Sequence, residues 1–137
     1  MPPTDQAVHL ARLQAIFYMV TGVWPLVSIR SFEAITGPKT DRWLVKTVGA
    51  LVGITGCELG LASRRRQLTP EVVLVATASA GALATIDVVY VAKRRISPIY
   101  LLDALAEIAL VAGWGRLWWR ARQRSMETAG ILEHHRR

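Results

Sequence analysis

Cysteine is almost absent from this 137-residue chain, and the single Cys57 rules out an intrachain disulfide, a Cys-x-x-Cys pair and a thiolate metal cluster. Histidine is nearly as scarce. His9 precedes the first apolar run while His134 and His135 stand in a charged tail, so no imidazole is on hand inside the apolar part for Ser-His-Asp chemistry. Metal ligation by these three is disfavoured too. Aromatic residues make up 7% of the chain against 52% hydrophobic residues overall, so Ala, Val, Leu, Ile and Gly carry the apolar content. No phosphate-cradling glycine loop follows a strand-like segment, because the glycines fall within apolar helical runs.

Acids are in short supply: 10 Asp and Glu stand against 17 Lys and Arg, a net charge of +7. Such a balance suits a nucleic-acid binder when the bases form one stripe. Here they sit in clumps between apolar runs, at residues 64–66, at residues 93–95 and from Arg116 onward, as the flanks of membrane spans do. Nucleic acid is therefore the weaker partner, and the lipid bilayer the expected one.

Charge is lacking altogether from residues 13–29, while residues 47–63 hold Glu58 alone, 72–92 hold Asp87 alone, and 96–115 hold Asp103 and Glu107. A bilayer core of ~30 Å needs about 20 apolar residues per crossing. The expectation is an all-α, four-transmembrane-helix bundle in a single membrane domain, with spans near 10–29, 44–63, 71–92 and 97–119 and a basic tail over 120–137. A soluble four-helix bundle needs a polar face on every helix, and VVLVATASAGALATIDVVYVA offers one carboxylate in six turns. Asp5 and a lone Arg12 make a poor signal-peptide n-region, so the first helix is expected to stay attached.

With four spans both termini share a side, which holds Arg12, Arg64–Arg66 and the bases from Arg116 to Arg137, ten in all, against seven opposite. That bias predicts a bacterial inner (plasma) membrane protein with both termini cytoplasmic. Trp24, Trp43, Tyr90 and Tyr100 are expected at one interface, and Trp114, Trp118 and Trp119 at the other.

The second run, KTVGALVGITGCELGLAS, places Gly49, Gly53, Gly56 and Gly60 at steps of four, three and four. On a helix these fall within about 60° of one another and form one smooth face. In lipid, helices associate through such close backbone approach. A homo-oligomer or larger membrane complex built on this face is the expected partner besides lipid. Cys57, inside the same run, reads as a buried packing residue.

Between the runs, Thr4 reads as an N-cap, Trp24-Pro25 as a kink or early helix end, and Thr36-Gly37-Pro38-Lys39 as a turn. Residues 31–35 suit a short interfacial helix, with Thr40 or Asp41 capping the next span. The alanine-rich third run reads as the central helix, and Ser97-Pro98 opens a tight hairpin into the fourth. A first span followed by SFEAITGPKTDRWLVKTVG and a glycine-rich second span ending CELGLA resembles the small four-helix bacterial membrane proteins grouped as DoxX-like, over residues 12–114. The resemblance implies a four-helix membrane bundle and brings no catalytic residues with it.

The embedded acids are the chemical signal. Asp87 and Asp103 each lie six residues from the same turn, about 9 Å deep, and Lys46 enters from that surface, so a buried Lys46, Asp87 and Asp103 cluster is predicted, reached by Arg42 or Arg30. Glu58 lies near the opposite surface, about 180° from the glycine stripe, with Arg64, Arg65, Arg116 or Arg12 as neutralising bases. Glu107 sits mid-span with no base at its depth and shares a face with Asp103 at i,i+4. The acids then admit two roles. They are hydrogen-bonded pins, with a protonated Glu107 on Thr77 or Thr85, or they mark a proton, cation or cationic-ligand site formed by Glu107, Asp103 and Glu58.

No activated nucleophile or acid–base pair can be named, so neither an enzyme nor a cofactor is expected. The chain reads as a small integral membrane protein of interaction or assembly type. The alternative is a small proton- or cation-coupled transporter or ligand-binding membrane protein using the buried carboxylates.

Overall fold

The computed structural model describes the backbone of residues 3–134 and the side chains of residues 3–126. His135, Arg136 and Arg137 and the side chain of His134 lie outside the described residues. The described chain is all-helical: α1 is Asp5–Val27, α2 Ile29–Thr36, α3 Arg42–Arg64, α4 Pro70–Ala92 and α5 Tyr100–His134.

Local chemistry sets these boundaries. The Thr4 hydroxyl accepts from the Ala7 N–H at 3.2 Å and starts α1. Thr69 does the same for α4, with Pro70 at its first position, where the missing N–H costs nothing. Ser28 ends α1 and opens α2, donating its N–H to the Trp24 carbonyl and accepting from Ser31 on its hydroxyl. The turn after α2 needs glycine, since Gly37 has φ +88°. Asp41 precedes α3 without a side-chain capping bond. α1 runs through Pro25 for two further residues instead of ending there, and Pro25 is buried against α3.

α1, α3 and α4, of 23 residues each, are long and apolar enough to cross a membrane. α5 falls outside that composition because its apolar turns carry Asp103 and Glu107 and it becomes basic from Arg116. Its outward face is nonetheless apolar, with Leu102 65% and Leu105 66% exposed. The other helices share this pattern: Gln14, Ser63, Asp87 and Glu107 are buried beside small apolar residues, while Ile16, Val20, Leu51, Ile54 and Leu74 face outward.

α1 is the central helix, packed on α2, α3 and α5, whereas α4 packs chiefly against α5 and buries one face, Ala76, Ala80, Ala84 and Asp87. The small residues around α4 thus correct the expectation that it would be surrounded. The glycine stripe of α3 is used inside the chain, against α1, which removes it as the seam of an oligomer. A Cβ on Gly22 of α1 would stand 2.6 Å from the Gly49 carbonyl oxygen and 2.6 Å from the Gly53 nitrogen, and one on Gly56 2.9 Å from the Met19 nitrogen. Gly53 and Gly60 have ordinary clearance, 3.7 Å from Val23 Cγ2 and 3.8 Å from Ala15 Cβ. Backbones this close gain dispersion contacts that a methyl group would prevent.

Gly22→Ala is therefore expected to destabilise the protein in detergent by about 1–3 kcal/mol despite the better helix former. Gly53→Ala should be neutral or gain up to about 1 kcal/mol. Thermal unfolding of both variants checks this, and equal stabilities would contradict the close approach.

Candidate functional site

Polar side chains converge where α1, α4 and α5 meet. Gln14 and Tyr18 stand one turn apart on the inner face of α1, and Asp103 and Glu107 one turn apart on the inner face of α5. Asp87 faces them from α4. The Tyr18 hydroxyl donates to Glu107 Oε2 at 3.0 Å, and both groups are almost fully buried. Gln14 Nε2 donates to the Ala76 carbonyl at 2.8 Å, while its Oε1 accepts from Trp114 Nε1 at 2.8 Å, so one amide ties three helices. Ala11, Ala15, Leu59, Ala76 and Trp114 pack around this tie.

Asp87 is 6% exposed and its Oδ2 has no hydrogen-bond partner, although the Asp103 carboxyl lies against it. Two carboxylates are both acceptors, so their contact becomes a hydrogen bond only when one holds a proton. Glu107 is near enough to interact with both aspartates. Among the described residues the ion pairs are Arg42–Glu33 and Arg66–Asp5, so no base pairs with any of the three acids. No group of His, Cys, Asp and Glu among the described residues is arranged to hold a metal ion.

Several expected positions need correction. Lys46 is exposed and makes no ion pair, so the cluster is Asp87 and Asp103 without it. Depth put Lys46 level with the acids, but α3 leans on α1 and it is α1 that closes over them. Arg42 is occupied by Glu33, and Arg30 points outward. Glu58 is exposed on the side of α3 away from α1 and is not part of the centre, and Cys57 is likewise exposed, its Sγ 3.3 Å from Met19 Sδ. The hydroxyl on Glu107 comes from Tyr18, because Thr77 and Thr85 donate to the Val73 and Gly81 carbonyls of their own helix. Trp114, expected at an interface, is buried, while Trp118 and Trp119 are exposed. His9 is exposed.

A cap closes the end nearest Asp87 and Asp103. Arg42 donates two hydrogen bonds to Glu33, at 2.9 and 2.8 Å, and the Lys39 N–H adds a third at 3.2 Å. The Arg42 guanidinium holds the Glu33 carboxyl below the usual carboxylate range, so this tie is present above that range and is lost only as the pH falls through the lowered value. Trp24 Nε1 donates to Ser31, and Lys39 Nζ lies 4.8 Å over the Tyr100 ring, joining the cap to α5. At the other end, Arg66 pairs with Asp5 and Arg120 donates to Gln6, gathering the basic clumps around the start of α1.

These features define a protein that is all-helical over its described residues, with three helices long and apolar enough to cross a membrane and buried acids in its interior. In comparisons with protein-family models, with curated proteins and with solved structures, none matches the chain. Gln14, Tyr18 and Trp114 are the uncharged polar members of the site; their signal in the sequence is the i,i+4 pair of polar groups, Gln14 and Tyr18, inside an apolar run.

Gln14→Leu and Trp114→Phe should each lower stability in mixed micelles, with the double variant losing less than the sum by about 0.6–1.7 kcal/mol, the range of interhelical hydrogen bonds in membranes. Strict additivity in that double-mutant cycle would contradict the tie.

Proposed function

We propose that this chain is a four-helix integral membrane protein of DoxX-like type in which Asp87, Asp103 and Glu107 form a proton-exchanging, cation-binding centre. It is thus a small proton- or cation-coupled transporter or ligand-binding membrane protein, with α5 as the fourth crossing. The outward leucines of α5 and its inward acids support that crossing, since α5 then offers hydrocarbon to lipid and carboxyls to its neighbours. The excess of bases around the start of α1 supports a bacterial inner membrane with cytoplasmic termini.

One observation carries this reading: among the described residues, three carboxyl groups share one buried region without a base, and an oxygen of Asp87 accepts no hydrogen bond from a donor group. Structural pins in a membrane are satisfied groups, because an unmet buried acceptor costs about 1–3 kcal/mol. Glu107 on Tyr18 meets that description. Asp87 meets it only when it or the Asp103 carboxyl against it holds a proton, so the pair is a place for a proton or a cation. The interaction-and-assembly reading loses the surface it was argued from, since the glycine face is covered by α1.

The groups facing the centre are Tyr18 from α1, Asp87 from α4, and Asp103 and Glu107 from α5, and α3 adds no charge. Dicyclohexylcarbodiimide, an apolar reagent that modifies protonated carboxyls, is expected to label this centre in the full-length protein, with a yield that falls as the buffer pH rises. Asp87→Asn and Glu107→Gln should each reduce the label found by peptide mass spectrometry. Absence of labelling, or labelling indifferent to buffer pH, would return the acids to the role of sealed pins.

A further inference from the structure

α3 packs mainly on α1 and α4 mainly on α5, so the contact between α3 and α4 is small. The seam holds a groove of about 210 Å³ lined by Leu51, Val52 and Thr55 of α3, Ser79, Ala82 and Leu83 of α4, and Tyr18 of α1. Tyr18 belongs to both places at once: it lines the groove, and its hydroxyl holds Glu107. Leu51, which lines the groove, is 60% exposed, so the groove is open to the surroundings of the bundle on that side.

Resting on the cation-binding reading of the acids, we infer that the ligand is a compact lipophilic cation, about one ring and a quaternary ammonium in size, which enters from the bilayer through the α3–α4 groove. Charge selects it, because Tyr18 in the groove lining is bonded to Glu107, one of three acids that no base pairs with among the described residues. Size agrees: a cavity of about 150 Å³ takes benzene, which leaves room here for a small cationic head. A hydrated metal ion is a poor occupant. It needs several oxygen ligands, and the lining offers the Thr55 and Ser79 hydroxyls, of which Thr55 is bonded to the Leu51 carbonyl. A quaternary ammonium needs no such ligands and is attracted to the face of an aromatic ring, which Tyr18 provides.

The test uses the full-length protein in nanodiscs of zwitterionic lipid, with benzyltrimethylammonium as ligand and its uncharged carbon isostere neopentylbenzene as control. The cation should protect the carboxyls from carbodiimide saturably, slowing labelling to less than about a fifth of the unprotected rate near saturation. Ser79→Leu and Ala82→Leu, which fill the groove away from the acids, should leave labelling intact and abolish protection. Equal protection by neopentylbenzene, or by a lipid tail of matching size, overturns the inference in favour of an unselective apolar groove. Labelling without protection by the cation, or protection unchanged in whichever groove variant folds, overturns it while leaving the proton-exchanging centre standing. Absence of labelling from the outset removes that centre, and this inference with it.

Discussion

A carboxyl group in the middle of a helix whose other face is leucine has a narrow set of choices. Glu107 must turn inward, and among the described residues the hydroxyl that meets it is that of Tyr18, on the first helix. The leucine face on the outside offers no donor at all, so the direction of Glu107 sets the rotation of α5. Once α5 is so turned, Asp103 falls on the same face and lies against Asp87 of the preceding helix. The short connection between α4 and α5 then has little freedom left. Leu102 and Leu105 complete the arrangement by facing out.

The same bond draws α1 to the centre of the bundle, and the other contacts adapt to it. α3 is left with the far side of α1, where a close fit is possible because Gly22 meets Gly49 and Gly56 meets the backbone near Ala15 and Met19. Dispersion between backbones replaces the hydrophobic drive that lipid cannot supply. Two tight pairs result, α1 with α3 and α4 with α5, and the contact between α3 and α4 is much smaller than either. Gln14 locks one end by bonding α4 and α5 from α1, and the Glu33–Arg42 tie closes the other. The acids lie between these two closures.

Depth was legible in the sequence and rotation was not. Rise per residue is fixed in a helix, so the spacing of Asp87 and Asp103 from their shared turn announced that they would meet at one level. The Thr4 cap, the turn at Gly37 and the short helix after the first run were likewise written in local chemistry. Lys46 shows the limit: level with the acids, it is turned away from them because its helix packs on a different partner. Which helix the glycine stripe would meet depended on a matching glycine in α1, a single residue among apolar neighbours. Tyr18 and Gln14 are uncharged and drew no notice in a run marked by its lack of charge. Trp114 sits near a span end, as interfacial tryptophans do, and its indole nitrogen turns inward only because Gln14 is there to accept it.

The central claim is that α5 presents leucine to lipid while its carboxyls face the bundle. A nitroxide attached at position 105 in a Cys57→Ser background, reconstituted into bilayers, measures this directly through its relative accessibility to oxygen and to a water-soluble nickel chelate. Leu105 should read as lipid-exposed, matching a label at Leu51 on α3, with oxygen collisions dominant. A label at position 105 that met the nickel chelate as freely as one on the basic end of α5 would contradict the account.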